Sequence, residues 1–299
     1  NALLDLGVDV TALGGLPPVV VRGGYFKGGT ARITGDVSSQ YISALLLAAP
    51  LAEKGVRIKL TTPLESVPYV RMTAACMRHF GVMVIEEDGG YQVQRRDYRP
   101  AEYRVEGDWS SASYLLALGA LSDGVTVNNL QAASLQSDRA LLDVLAQLGA
   151  DITYGDGSVT VSRGRLRAFK VDLADAIDLL PTVAVLAAFA EGKSELTGIR
   201  RARLKESDRV AAVVEGLKRL GIAVTSGEDY LSVTGGEPGP AVIESHGDHR
   251  IAMAFSLPGV VYGGVTINGA ECVGKTFPQY WGILENIGGK VAGHDEQPG

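Results

Sequence analysis

Two phrases of apolar and polar positions alternate along the chain. The first is an amphipathic helical stripe closed by a glycine, followed by two short alternating runs on either side of a polar turn. It reads NALLDLGVDV from Asn1, MRHFGVMVIEEDGGYQVQ from Met77, LAQLGADITYGDGSVTVS from Leu145, LKRLGIAVTSGEDYLSVT from Leu217 and LENIGGKV from Leu284. Its glycines, Gly7, Gly81, Gly149, Gly221 and Gly288, are separated by 74, 68, 72 and 67 residues. Each phrase predicts a helix ended by a left-handed residue and continued by a half-buried hairpin.

The second phrase is a helix apolar nearly all round, then a glycine-containing turn and a strand. It appears as SSQYISALLLAAPLAEKGVRIKLT, SSASYLLALGALSDGVTVNNL, DLLPTVAVLAAFAEGKSELTGI and HRIAMAFSLPGVVYGGVTINGA. A helix without a polar face must be covered on all sides. The pattern therefore predicts an α/β protein of repeated units of about 70 residues. Each would hold one buried helix, one exposed helix and strands sheeted over them, with helices inside and sheets outside. A compact arrangement in threes needs six units and a little over four are present, so the chain is expected to be short at its N-terminal end. The division is expected near Tyr103, giving 1–103 as the remainder of one domain and 104–299 as a second.

Composition narrows the functional classes. The 299 residues include 38 Gly and 46% hydrophobic side chains, with 28 basic against 34 acidic groups and a formal charge of -6. That excludes collagen, a disordered chain and a polybasic nucleic-acid binder. Cys76 and Cys272 are too few for a disulfide framework or a zinc cage, which fits a reducing compartment. The most apolar stretch, Leu179 to Ala190, falls short of the ~18 residues of a membrane span. No basic-then-apolar signal opens the chain, so a soluble cytoplasmic protein without a membrane partner is expected.

The apolar helices have polar starts. These are Ser38-Ser39-Gln40, Asp108 with Ser110-Ser111, Asp178, and Asp248-His249-Arg250. The exposed helices open with Ser66 to Tyr69, Ser137-Asp138-Arg139, LKESDR from Leu204 to Arg209, and Lys275-Thr276. Helix N-termini favour anions through unsatisfied N–H groups and the helix dipole. With the helix starts facing one cleft, Lys205, Arg209, Arg250 and Lys275 would surround phosphate and carboxylate groups. Ordinary N-capping accounts for Ser110, Ser111 or Asp138 taken singly, and KESDR taken alone reads equally as a solvated helix start. Asp178, opening an all-apolar helix, is either a cap or a functional carboxylate. HGDH lacks a third nitrogen or sulfur ligand, so no metal is expected. Cys76 and His79 fit simple packing, and RGGYFKGG carries no nucleotide-binding pattern.

In order along the chain, GDVSSQYISALLLAAPLA, SVPYVRMT, VEGDWSSASYLLALGAL, LKESDR, GDHRIAMAFS and KTFPQYW resemble the 5-enolpyruvylshikimate-3-phosphate synthase family. The resemblance implies the enolpyruvyl transferase fold, a two-domain inside-out α/β barrel of βαβαββ units, with the N-terminal domain incomplete in this chain. It implies transfer of the enolpyruvyl group from phosphoenolpyruvate to the 5-hydroxyl of 3-phosphoshikimate, a step of aromatic amino acid biosynthesis and the target of glyphosate. No cofactor, metal or nucleic acid is implied. Carried over by motif, Ser38, Ser39, Gln40, Ser66, Tyr69, Asp178 and Lys205 would hold 3-phosphoshikimate. Gln40, Glu206, Arg209, Arg250 and Lys275 would line the phosphoenolpyruvate site. Asp178, Glu206 and Lys205 would be catalytic, with Asp178 the base at the hydroxyl and Glu206, beside a lysine, managing the proton at carbon.

The resemblance also implies that the family's N-terminal residues, including a catalytic lysine and part of the phosphoenolpyruvate clamp, lie outside this chain. Alone the chain is then expected to be inactive, with a separate N-terminal fragment as its partner. Arg200 and Arg201 stand where the family places neutral or acidic residues. Three other readings compete. UDP-N-acetylglucosamine enolpyruvyl transferase shares the fold but fits SSQ, KESDR and KTFP less well; a non-catalytic binder would keep the cleft without turnover; RNA 3'-phosphate cyclase-like proteins would need a nucleotide site.

Overall fold

The computed structural model describes residues 1–23 and 25–293. Contacts divide the chain into two units, Asn1–Val105 with Leu135–Ser137, and Glu106–Ser134 with Asp138–Gly299. Each has its own apolar core.

In the first unit a short helix, α1 (Ala2–Asp5), leads into a hairpin of β1 (Asp9–Leu13) and β2 (Leu16–Arg22). A complete repeat follows: β3 (Gly29–Ile33), α2 (Ser39–Ala48), β4 (Val56–Leu60), α3 (Val67–His79), β5 (Val84–Glu87) and β6 (Gly90–Val93). Its sheet has the order β3-β4-β6-β5, with β3 and β4 parallel and the remaining pairs antiparallel. Parallel neighbours need a long crossover, which α2 supplies.

The second unit opens with α4 (Trp109–Leu121), β7 (Val125–Asn128), α5 (Leu141–Leu148), β8 (Asp151–Gly155) and β9 (Ser158–Ser162), in a three-stranded sheet ordered β7-β9-β8. Next come β10 (Lys170–Asp172), α6 (Leu180–Ala188), β11 (Lys193–Thr197), α7 (Arg209–Arg219), β12 (Ala223–Ser226) and β13 (Tyr230–Thr234). Their order, β10-β11-β13-β12, repeats that of the first unit's four-stranded sheet. The chain continues through β14 (Ala241–Glu244), α8 (His249–Tyr262), β15 (Val265–Asn268) and α9 (Tyr280–Asn286), with β14 and β15 parallel.

The repeat read from the sequence is thus a βαβαββ topology. Its five glycines all take positive φ, from 79° at Gly7 to 100° at Gly288, which ends each helix without a Cβ clash. After Gly288 no strand forms among the described residues, where the pattern predicted a hairpin. The five sheets stay open and separate. The inside-out architecture therefore consists of helices covered by sheets, with no hydrogen-bonded closure among the described residues.

The second unit is built around α4, α6 and α8, which pack on one another while each lies under its own strands. All nine residues of α6 are buried. Its one hydroxyl, Thr182, meets Ser113 of α4 at 3.4 Å. Each fully buried Leu or Val contributes roughly 1.5–3 kcal/mol. The expectation of full burial fails for α2, where Tyr41 and Leu47 are about half exposed at 53% and 49%. The reason is the number of partners. Among the described residues α2 packs on α3 and β4, with no second all-apolar helix in its unit. No helix among the described residues is long and apolar enough to cross a membrane.

Candidate active site

The charged residues assigned to the ligands follow the C-terminal ends of parallel strands, where open α/β sheets bind ligands. In the second unit, β10 leads to Asp178, β11 to Lys205, Glu206 and Arg209, β14 to Asp248-His249-Arg250, and β15 to Lys275. Caps fix the helix starts: Asp208 accepts from the Ala211 N–H at 2.9 Å and Asp248 from the Arg250 N–H at 2.9 Å.

These residues form one ionic network. The Arg209 side chain, 1% exposed, donates to three carboxylates: Nη1 to Asp178 at 2.6 Å, Nη2 to Glu206 at 2.6 Å and Nε to Asp248 at 2.8 Å. Arg250 Nη2 lies 3.2 Å from the second Asp178 oxygen, and Lys205 Nζ 3.4 Å from the first. Lys275 Nζ reaches Glu206 at 3.2 Å. Four cations against three carboxylates leave a local charge of +1 on a chain of formal charge -6. A single-atom anchor completes the arrangement, since Ser207 Oγ donates to Asp248 at 3.1 Å.

Burial alone would push the Asp178 carboxyl up, but Arg250, Lys205 and Arg209 outweigh it and hold it at about 2. Burial also works to raise Glu206, and Arg209 with Lys275 brings it below the usual glutamate range. His249 is 2% exposed, and burial followed by the nearby Arg250 charge lowers its pKa, keeping the ring neutral at physiological pH. Among the described residues neither of its ring nitrogens has a hydrogen-bond partner.

The network can exchange partners. Asp248 has no exposure and is the fixed counter-ion of Arg209. Asp178 and Glu206 are 22% and 32% exposed at the side chain, so an entering anion can compete with them for the cations. A displaced Asp178 is then an ionised acceptor beside the ligand.

In the first unit, Ser38, Ser39 and Gln40 open α2, and Ser66 and Tyr69 open α3. Ser38 Oγ accepts from the Gln40 N–H at 3.3 Å, and Ser39 is buried. Ser66 is buried with a left-handed φ of 55°. The loops carrying the two groups are bonded directly: Gly35 N–H donates to Thr62 Oγ1 at 2.9 Å, and Glu65 N–H to the Gly35 carbonyl at 3.1 Å. A Cβ on Gly35 would stand 2.8 Å from Leu64 Cα and from the Pro63 oxygen, so only glycine permits this approach. The two helices also share a hydroxyl pair, Ser43 with Thr73 at 2.8 Å.

Sequence reasoning passed over Asp248 as a ligand-site residue, because an aspartate at a helix start is explained by capping, which it also performs. A buried arginine needing a permanent counter-ion was the available signal. Of the unusual pair, Arg201 Nη2 donates to the Ala174 carbonyl at 2.6 Å, and the Arg200 backbone N–H donates to Asp229 at 2.7 Å. Arg201 thus ties down the loop that leads from β10 towards Asp178.

The chain matches the model of the EPSP synthase (3-phosphoshikimate 1-carboxyvinyltransferase) family over residues 1–284. It is 44% identical over 293 residues to the 3-phosphoshikimate 1-carboxyvinyltransferase of Dehalococcoides mccartyi, covering 97% of this chain and 69% of that protein. With the protein of the same name from Methanothermobacter thermautotrophicus it shares 44% over 292 residues, 96% of this chain and 69% of the other. EPSP synthase from Acinetobacter baumannii superposes with a TM-score of 0.78 at 28% identity, covering 96% of this chain and 68% of that structure. The enolpyruvyl transferase NikO from Streptomyces tendae, at 16% identity and a TM-score of 0.74 over 97% of this chain and 71% of its own, shares the fold. With the sequence match running through both units and the strand order repeated within them, the chain belongs to the EPSP synthase family.

Proposed function

We propose that this chain, together with the family's N-terminal residues, serves the 3-phosphoshikimate 1-carboxyvinyltransferase reaction, in which the 5-hydroxyl oxygen of 3-phosphoshikimate adds to C2 of phosphoenolpyruvate and phosphate then leaves. The observation that carries this reading is the network of Lys205, Arg209, Arg250 and Lys275 around Asp178 and Glu206. Phosphoenolpyruvate brings a carboxylate and a phosphate, and the arginines offset both through charge-assisted bonds. Ser38 and Ser39, with the N–H groups at the start of α2, suit the phosphate of 3-phosphoshikimate. Gln40, Ser66, Tyr69 and Lys205 suit its ring hydroxyls.

In the addition, Asp178 accepts the proton of the 5-hydroxyl as its oxygen bonds to C2, and a proton is delivered to C3. The pair of Glu206 and Lys275 manages that proton: the Lys275 ammonium, donating to the ionised Glu206 at 3.2 Å, supplies it and Glu206 holds the lysine in place. In the elimination, C3 returns its proton, the C2–C3 double bond reforms and the C2–O bond to phosphate breaks. The low pKa of Asp178 makes it a weak base until an anion draws Arg209 and Arg250 away, which ties base strength to occupancy.

Phosphate release is the direct test. Release from phosphoenolpyruvate that depends on 3-phosphoshikimate, accompanied by exchange of solvent deuterium into C3, is expected when the family's N-terminal residues are supplied, and not from the 299 residues alone. Release supported by UDP-N-acetylglucosamine and not by 3-phosphoshikimate would overturn the assignment.

A further inference from the structure

The segment VEGDWSSASYLLALGAL supplies none of the groups assigned above, yet its helix reaches into the network. Asp108 caps α4, accepting from the Ser110 and Ser111 N–H groups at 3.0 and 3.2 Å. Ser110 and Tyr114, four residues apart, share one helix face. Both of their hydroxyl oxygens accept from Arg250 Nη1, Tyr114 at 3.4 Å. The other end of the same guanidinium, Nη2, meets Asp178. Tyr114 is fully buried, its ring set edge-on against Tyr280 with centroids 6.0 Å apart.

The contrast with Arg209 is informative. Arg209 is anchored by the buried Asp248 carboxylate, which cancels much of its charge. Arg250 is anchored at Nη1 by two neutral oxygens of α4, which fix its direction without cancelling charge, and its carboxylate partner at Nη2 is the partly exposed Asp178. Burial pushes the Tyr114 phenol up to about 12, against the opposing pull of Arg250, so it remains a neutral acceptor at physiological pH. Without these hydroxyls, Nη1 is free to swing onto Asp178 beside Nη2, and a two-pronged pair would compete with any anion.

We infer that Ser110 and Tyr114 are positioning residues that hold Nη1 of Arg250 on α4, limiting its pair with Asp178 to the single Nη2 contact so that an anionic ligand can displace it. This rests on the reading of Arg250 as a ligand of the phosphoenolpyruvate phosphate or carboxylate, so two separate readouts are needed. The first is calorimetric binding of inorganic phosphate, which requires no turnover. The second is the KM for phosphoenolpyruvate in the phosphate-release assay.

Tyr114→Phe and Ser110→Ala are each expected to weaken phosphate binding about tenfold, the equivalent of one hydrogen bond to a charged group. KM should rise by a similar factor, with kcat changed less than about threefold. Tyr280→Phe is the packing control. It removes hydroxyl bonds to Ser256 and the Met253 carbonyl without touching Arg250, and should lower Tm while leaving phosphate affinity unchanged. Unaltered phosphate affinity in both α4 variants overturns the inference, as does an equal loss in Tyr280→Phe. Weakened phosphate binding in a protein that, with the family's N-terminal residues supplied, does not turn over phosphoenolpyruvate with 3-phosphoshikimate would support the positioning role and remove the transferase reading.

Discussion

Asp178 Oδ1 and Arg209 Nη1 meet at 2.6 Å, bringing together the starts of two helices whose strands, β10 and β11, lie side by side. The carboxylate is shared with Arg250 and Lys205, so one proton on it would loosen three ion pairs at once.

That coupling sets a pH dependence. The folded pKa of Asp178, about 2, lies below its ordinary 3.8. Its contribution to stability is therefore fully present above pH 4 and is lost as pH falls through 2. The shift corresponds to on the order of 2 kcal/mol. Urea denaturation between pH 2 and pH 6 should show this slope, and Asp178→Asn should flatten it. In the turnover assay the same variant should lose about 10²–10⁴ in rate.

Asp248→Ala should be among the most destabilising single changes in the second unit. It removes the fully buried counter-ion of Arg209, leaving the guanidinium only the partly exposed Asp178 and Glu206, and removes the cap of α8. Breaking a buried pair on one side costs about 3–5 kcal/mol, and the denaturation midpoint of the second unit should fall accordingly. A drop below about 1 kcal/mol would mean that Arg209 finds water or another partner.

For the first unit, the double change Ser38→Ala with Ser39→Ala should weaken 3-phosphoshikimate binding by a few kcal/mol, at about 1.5–3 for each bond to a charged group. Loss of the Ser38 cap should cost the fold only about 1 kcal/mol. Calorimetry and hydrogen exchange on α2 separate the two effects. Unchanged affinity would exclude these serines from the site.

Gly216 offers a test away from the charges. A Cβ there would stand 2.4 Å from Phe255 Cζ, between the helices that carry Arg209 and Arg250. Gly216→Ala should cost about 1–3 kcal/mol by overpacking. It should also reduce phosphate affinity, because α7 and α8 must move apart. Destabilisation without loss of affinity would show that the helix starts tolerate the shift.

The repeat and its helix-ending glycines were legible because both depend on local pattern, and the apolarity of α4, α6 and α8 announced their burial. The exposure of α2 was not legible, since an all-apolar helix shows what it can bury and not how many partners surround it. The site residues were visible as charged types at helix starts. Their pairing was not: Asp178 with Arg209 spans 31 residues and Lys275 with Glu206 spans 69. Ser110 read as an ordinary polar helix start, and Tyr114 gave no signal. They are ordinary helix residues until Arg250, some 140 positions away, is brought against them.

Among the described residues the two cores are unequal, with fourteen buried apolar residues clustered in the first unit and fifty-one in the second. Melting then need not be a single event. On warming, the first unit should lose its order before the second, so that catalytic inactivation precedes the main heat-absorption peak and most of the loss of ellipticity. On the proposed assignment of Ser38 and Ser39 to the acceptor and of the arginines to phosphoenolpyruvate, a chain held between the two transitions should still bind phosphate while no longer recognising the sugar-like acceptor.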